Sequence, residues 1–541
     1  MATGSQETSL ILCDLIQKSQ LISEGPPARY RLIAEERNLD EDGSVRKWTF
    51  GQRDIDMQNK ILLMVGETGT GKTTLINVMV NYILGVKFTD EVWFEITEEG
   101  GDNQMLNQTK SQTTEITVYE VFVKDNPICL TIIDTPGYGD TRGVEYDKQI
   151  AENLYKLFRS DTGVKEIDAV CLVVKASENR LTDRQHYIFD AVFSLFGKDI
   201  ENSIVIFITH SDGMPPKDAL NAIKRAGIPC RKNKENVPEH FLFNNRQTEE
   251  RRPEYNRALQ AIWDLTADSL KYFFSSLKEQ NRKSLEQTES VLIQSKRLEA
   301  CISNLQNRIA SVECKVNELT QIQKALEENQ EKIKKKENFT FTVIKSYKKY
   351  VSLSRNASWW DRKVTSCTVC KENCHEYNCW LAPSALWCEV IKNGYCTSCT
   401  GKCHFTKHVR ESKKYVTCSE KSIVTLEDFK KQYESSNNSA TDIKFDSKAY
   451  ENKKEEEEKM IMEMNLKEEL TKTEKEKAEL VEEAYNTIMK LSEISLKPDS
   501  DLIFQCLDFL IPRTEETGRE DLAQKLRELR KLQPETQETI L

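Results

Sequence analysis

The sequence predicts an α/β fold, a doubly wound sheet around a phosphate-binding loop, followed by a long α-helical, coiled-coil arm with a small cysteine- and histidine-rich module inserted in it. Three observations predict it. Residues Gly66-Glu67-Thr68-Gly69-Thr70-Gly71-Lys72-Thr73-Thr74 satisfy G-x-x-x-x-G-K-[ST] in full. Apolar residues recur in 3-4 alternation over residues 298–333. Eight of the 16 cysteines and three of the six histidines fall within residues 367–408.

At 541 residues the chain is too long for one core. The composition shifts suggest an N-terminal extension over 1–57, a nucleotide domain over 58–270 and a helical arm over 271–340. A Cys/His module over 341–425, a second arm helix over 445–497 and C-terminal helices with a tail over 498–541 complete the division. The net charge of −10 argues against general nucleic-acid affinity. No apolar run approaches the ~20 residues a membrane span needs. The first residues show no basic stretch followed by an apolar core, so the expected compartment is the cytoplasm. Its reducing chemistry argues against disulfides as the use of the cysteines.

The phosphate loop sits in the setting it requires. The apolar run Ile61-Leu62-Leu63-Met64-Val65 precedes it and the amphipathic run Leu75 to Leu84 follows. Glycines at 66, 69 and 71 let successive backbone N–H groups point at phosphate oxygens, and a helix start adds its positive end. Lys72 brings a charge to the β/γ-phosphates, and Thr73 brings a hydroxyl to Mg²⁺. Further strand-like runs are Ile128 to Ile133, Ala169 to Val174 and Ser203 to Ile208. Their near-continuous apolar character suits parallel strands covered on both faces. A helical pattern runs from Thr182 to Phe196, with Thr182 as N-cap and Gly197 as stop.

The ends of these runs carry the remaining chemistry. Asp134-Thr135-Pro136-Gly137 closes the second strand. Asp134 there is suited to hold Mg²⁺ through water, and the Gly137 N–H to reach the γ-phosphate. Thr113 and Thr114 precede a strand-like run from Glu115 to Val123. Either one is placed to close over the γ-phosphate and Mg²⁺, and the sequence does not choose between them. Thr209-His210-Ser211-Asp212 closes the fourth strand, with Thr209 and His210 in the places of the usual Asn-Lys. The Asp212 carboxylate is suited to accept two hydrogen bonds from guanine N1–H and the exocyclic amine, which adenine does not offer. His240 to Asn245 reads as a fifth strand ending at the base, with Asn244 and Asn245 beside it.

These pieces together resemble the immunity-associated nucleotide-binding proteins, the GIMAP or AIG-type GTPases, which are relatives of septins. The match rests on Gly66 to Thr74, Asp134 to Gly137, the Leu181-Thr182 helix ending at Phe196-Gly197, Thr209-His210-x-Asp212 and Phe243-Asn244-Asn245-Arg246. It covers about residues 58–270. The resemblance implies a septin-like P-loop GTPase domain that binds GTP and GDP. It also implies dimers or oligomers formed across the nucleotide face, and slow turnover. Tyr138 stands where many small GTPases carry a water-orienting Gln, which also points to slow hydrolysis. Arg142, in the same stretch, is a candidate for action in trans or a plain solvated arginine.

In the arm, Leu298, Ile302, Leu305, Ile309, Val312, Val316, Leu319, Leu326 and Ile333 form a heptad seam. A poorer seam runs from Leu470 to Ile494. An antiparallel hairpin and an intermolecular parallel dimer are the two arrangements it allows. Pro498 ends the second helix, and Asp501 to Ile511 reads as a short apolar helix.

Between the seams, Cys367-x₂-Cys370-x₃-Cys374-His375-x₃-Cys379 is followed by Cys396-x₂-Cys399-x₃-Cys403-His404-x₃-His408. Both halves have the form C-x₂-C-x₃-C-H-x₃-[CH]. Soft thiolates with imidazole favour Zn²⁺. The assigned ligands of two ions are Cys367, Cys370, Cys374, Cys379, Cys396, Cys399, Cys403 and His408. The roles of His375, Cys388 and His404 stay open, as does cross-bracing of the halves. The order does not fit a RING finger.

The expected function is a cytosolic GTP-binding protein with slow hydrolysis and nucleotide-controlled self-assembly or partner binding. The alternative is a zinc-module adaptor or ubiquitin-ligase-like protein in which nucleotide is mainly structural. Asp212 and the Asp134 motif argue against an ATP-driven coiled-coil machine.

Overall fold

The computed structural model of the protein describes all residues except 1–11, 41–42, 54–57, 98–114, 125, 127, 137–143, 161, 179–184, 186–188, 190–191, 279–281, 336, 354–362, 377–381, 383, 426, 429–467, 469–470, 473, 476, 480, 497–500 and 532–541. The chain divides into two compact units. Residues 1–292 with 493–500 make one, and residues 293–492 with 501–541 make the other.

The first unit is built on an eight-stranded sheet. Its strands are β1 (Glu35–Asn38), β2 (Val45–Phe50), β3 (Gln58–Gly66), β4 (Ile116–Val121), β5 (Ile128–Asp134), β6 (Ala169–Lys175), β7 (Ile204–Thr209) and β8 (His240–Leu242). Their spatial order is β8-β7-β6-β3-β5-β4-β2-β1. Strands β8, β7, β6, β3 and β5 are mutually parallel, and β4 runs antiparallel to β5.

The apolar runs are continuous because both faces of the sheet are covered. Leu62, Met64, Cys171, Val173, Val205 and Phe207 share a core with α1 (Lys72–Leu84) and α4 (Asn256–Lys278). Their neighbours Leu63, Val65, Val170, Leu172, Val174 and Ile206 share the opposite core with α2 (Val144–Arg159) and α3 (Lys217–Arg225). This is the doubly wound architecture expected from the alternation of elements.

Residues 35–50, read in sequence as extension, add β2 and β1 to the edge of this sheet. Strand β1 is Glu-Glu-Arg-Asn and exposed throughout. An edge strand covered in charge resists further pairing, and it shows no apolar period to betray it.

Two asparagines of α1 do work that its amphipathic pattern hides. Asn81 donates to Phe94 O (2.7 Å) and accepts from Phe94 N–H (2.9 Å); Asn77 accepts from Ile96 N–H (3.0 Å). Both are buried, and they satisfy backbone groups of Phe94 and Ile96 in and just after the strand Val92–Glu95, which pairs in parallel with Ala28–Leu32.

The second unit is built on α5 (Glu286–Glu328), whose C-terminal part lies in this unit. The seam residues Leu298, Ile302, Leu305, Ile309 and Leu326 are buried. What covers them is mixed, and the simple two-helix arm expected from the heptads is not what the described residues build. Gln294 lines one cleft with Glu479, Glu483 and Thr487 of the later helix. Ala300 packs into the cysteine cluster. Ile322 and Leu326 pack on a hairpin made by β9 (Thr340–Ser352) and β13 (Lys413–Thr425). That hairpin is antiparallel and in register from Thr340–Thr425 to Ser352–Lys413. Between its strands lie β10 (Val364–Cys367), β11 (Glu372–His375) and β12 (His408–Glu411), in the order β11-β10-β12.

The expected helix from Asp501 to Ile511 is longer, forming α6 (Asp501–Glu516) with Pro512 inside it. Side chains cap carbonyls around the interruption: Thr514 Oγ1 donates to Ile511 O (2.8 Å) and Arg513 Nη1 to Phe509 O (2.8 Å). A further helix, α7 (Glu520–Arg530), follows. Among the described residues no helix is long and apolar enough to cross a membrane.

Candidate functional site

The loop between β3 and α1 holds the predicted phosphate cradle. Gly69 and Gly71 have φ of 77° and 87°, in the left-handed region that a side chain resists. Gly66 is fixed for another reason. A Cβ there would lie 2.5 Å from the Val173 carbonyl oxygen of β6. Lys72 is buried, and its Nζ donates to Gly66 O (2.8 Å) and Glu67 O (3.2 Å). The ammonium is thereby laid across the mouth of the loop. Thr70 Oγ1 donates to Glu67 O (2.8 Å), and Glu67 accepts from Gln185 Nε2 (3.0 Å). Thr68 is exposed, while Thr73 and Thr74 are half-buried in the first turn of α1.

Asp134 is buried at the end of β5, in register with Met64 of β3, two residues before the loop. Thr135 Oγ1 donates to Met64 O (2.8 Å), tying the two strand ends together. Thr113, Thr114 and Gly137 lie outside the described residues, as do Tyr138 and Arg142.

The base-side residues are wired to the loop itself. Thr209 is fully buried, and its hydroxyl donates to Thr70 O (2.7 Å). Asn245 Nδ2 donates to Gly71 O (3.2 Å), and Asn244 Nδ2 to Ser211 O (2.9 Å). Strands β7 and β8 thus hold the far side of the cradle. The pattern Thr-His for Asn-Lys gave no hint that Thr209 acts on the loop backbone. His210 adopts φ of 55° and is exposed, with Nδ1 3.1 Å from Thr209 Oγ1. Partial desolvation, and then the charges of Lys175 and Arg246, hold its pKa below the usual imidazole value. Asp212 is exposed, and its Oδ1 accepts from Met214 N–H (2.9 Å), a turn that fixes the carboxylate at the end of β7.

In the second unit, the sheet register brings the cysteines together. Cys367 of β10 stands opposite His408 of β12. Two four-membered groups result: Cys367, Cys370, Cys399 and Cys403, and Cys374, Cys396, Cys399 and His408. Within each group the ligand atoms lie within 4.8 Å of one another. The halves of the sequence repeat are cross-braced, and such a donor set can hold a metal. Cys396 and Cys399 are held below the ordinary thiol range, first by hydrogen bonding from Cys374, while Cys374 is raised well above it. A crowd of sulfurs that shares its protons in this way suits a cation.

Cys379 lies outside the described residues. His404 is not brought into either group. It packs on Tyr395 and Phe405, with Nδ1 3.0 Å from Thr406 Oγ1. His375 and Cys388 form a separate buried group with Glu389, where His375 Nδ1 is 3.2 Å from Cys388 Sγ and 3.6 Å from a Glu389 oxygen. Glu389 carries no spacing signal, and sequence reasoning missed it.

Residues 60–292 match the family described as the AIG1 family. The translocase of chloroplast 34 of Pisum sativum is 25% identical over 189 residues, covering 33% of this chain and 52% of that protein. Septin-2B of Xenopus laevis is 34% identical over 79 residues, 15% of this chain and 19% of that one. The chain thus spans about half the length of the translocase and less of the septin. The crystal structure of Toc33 from Arabidopsis thaliana with Mg²⁺ and GMPPNP is similar over 39% of this chain and 86% of its own, at 18% identity and a TM-score of 0.25. The phosphate loop, the Asp134 strand end and the β7–β8 clasp all lie inside the matched span, and residues 60–292 are a domain of the AIG1 family.

Proposed function

We propose that the chain is a GTP-binding protein with slow hydrolysis, in which the bound nucleotide controls self-association or the docking of a protein partner in the cytoplasm. One observation carries this reading. The loop that would grip the phosphates is hydrogen-bonded, through Thr209 and Asn245, to the strand ends that would meet the base. Occupancy at one end is therefore felt at the other.

In this reading Lys72 binds the β/γ-phosphates, and Gly66, Glu67, Gly69, Thr70, Gly71 and Thr74 present loop backbone to them. Thr73 and the water shell of Asp134 hold Mg²⁺. Gly137, with Thr113 or Thr114, contacts the γ-phosphate, and Asp212 selects guanine. The cysteines with His408 hold Zn²⁺ as a structural ion, because thiolates and imidazole fill the tetrahedral shell and leave no open position.

Size and nucleotide content, measured together with GDP and with a non-hydrolysable GTP analogue, test the proposal. A guanine-specific occupancy and a size that follows the nucleotide are expected. Equal competition of labelled GTP by ATP and GTP would overturn the base assignment. The cross-braced cysteine groups favour a second reading, in which the module is an adaptor and nucleotide is structural. A size and partner binding indifferent to GTP would favour it, and discharge of ubiquitin from a charged carrier enzyme would mark its ligase form.

A further inference from the structure

We propose that the cysteine–histidine module holds a dinuclear metal centre in which the Cys399 thiolate bridges two ions. Cys367, Cys370 and Cys403 complete the shell of one ion; Cys374, Cys396 and His408 complete that of the other. The inference rests on the reading of this module as zinc-binding and goes beyond it, since two separate mononuclear sites would satisfy that reading equally.

Geometry carries the sharing. Cys399 belongs to both groups, and its sulfur lies within 4.8 Å of the three other donors in each. Two tetrahedral ions need eight ligand positions. Among the described residues the two groups supply seven donors, so Cys399 used twice closes both shells without calling on Cys379, which lies outside the described residues. A thiolate has the lone pairs to do this. The spacing also suits the ion: a Zn–S bond of about 2.3 Å gives a tetrahedral S···S edge of about 3.8 Å. The Cys370 and Cys403 sulfurs are 3.7 Å apart.

The surroundings are built for a cluster of anions. Cys370 N–H points at Cys367 Sγ (3.4 Å), Gly401 N–H at Cys370 Sγ (3.3 Å) and Cys403 N–H at the shared Cys399 Sγ (3.3 Å). Ser398 and Cys399 N–H both point at Cys396 Sγ, at 3.3 Å and 3.4 Å. Six thiolates outweigh two divalent cations, and these donors offset the excess charge. Gly401 leaves the room: a Cβ there would sit 3.0 Å from Cys403 Sγ and 3.3 Å from Cys370 Sγ. His408 is set for its role by the second shell. Its Nδ1 lies 3.1 Å from His404 O, which fixes the proton on Nδ1 and leaves the buried Nε2, without a hydrogen-bond partner, for the ion. Cys367, Cys374, Cys396 and Cys399 are each no more than 2% exposed, so the group that holds Cys374, Cys396 and His408 is buried, while Cys370 and Cys403 are half-buried.

Titration of the metal-stripped full-length protein with Co²⁺, read by electron paramagnetic resonance and by thiolate-to-cobalt absorption, tests the bridge. The first equivalent gives a high-spin signal, and the second quenches it, because a shared thiolate couples the two spins. Absorption saturates at two ions per chain. Signals that add through the second equivalent, or saturation at one ion, would overturn the bridge while leaving zinc binding intact. No binding at all would remove the zinc reading as well. Among variants, Cys370→Ser is expected to keep one ion and Cys399→Ser to lose tight binding of both. The wild-type titration decides should Cys399→Ser fail to fold.

Discussion

Lys72 sits buried with its ammonium held by two loop carbonyls, so its removal takes away a brace of the loop together with the proposed phosphate contact. Lys72→Ala is expected to lower GTP affinity at least 100-fold, roughly 3 kcal/mol at 1.4 kcal/mol per decade, measured by calorimetry. Gly66→Ala would force a Cβ to 2.5 Å from the Val173 carbonyl. A loss of about 1–3 kcal/mol in unfolding free energy is expected, read by urea titration. An unchanged midpoint would mean that β3 and β6 approach less closely than they do here. Asp212→Asn turns one acceptor into a donor, which fits xanthine O2 in place of the guanine amine. Competition by XTP should therefore rise as competition by GTP falls. Parallel loss of both would show that Asp212 holds the turn to Met214 and does not read the base.

At the scale of elements, Asp168 shows how a strand start can organise its neighbours. Its carboxylate accepts from Ile61 N–H (2.8 Å) of β3, meets Arg282 Nη2 (3.0 Å) and lies 3.7 Å from the ammonium of Lys60. Lys60 is 3% exposed, so Asp168→Ala leaves a buried cation with the Leu277 carbonyl and no counter-charge. A cost of about 3–5 kcal/mol is expected in denaturant unfolding, and Asp168→Asn, which can keep the hydrogen bond to Ile61 but loses the charge facing Lys60 and Arg282, should recover only part of it. Strands β3, β5, β6 and β7 were legible because burial on both faces writes a continuous apolar run. Strand β1 was not, because an edge needs polar residues and has no period to read, and β2, paired on both sides, reads Val-Arg-Lys-Trp-Thr-Phe without a continuous apolar run. The P-loop was legible because its glycines are demanded by backbone geometry. The clasp from Thr209 and Asn245 was not, because a hydroxyl and an amide bonding a distant carbonyl leave no pattern in the chain. The heptads of α5 were real as burial, yet they did not say that a hairpin and a cysteine cluster share the covering with other helices.

For the whole molecule, two compact units imply two separately adjustable stabilities. GTP at 100 times its dissociation constant should raise the first unit by about 2.7 kcal/mol and leave the second unchanged. A strong chelator should do the reverse, lowering the second through loss of the ions while guanine-nucleotide affinity stays as it was. Differential scanning calorimetry with both additions, separately and together, checks this, and a single transition moved equally by either would contradict it. The ladder between β9 and β13 has one more implication. Its last rung joins Ser352 to Lys413, so residues 353–412 leave the backbone and return to it at neighbouring points. A segment anchored so is a cassette: a tight turn spliced from 352 to 413 would preserve the path of everything upstream and downstream, and a lineage can gain or discard such a piece without re-routing the rest of its chain.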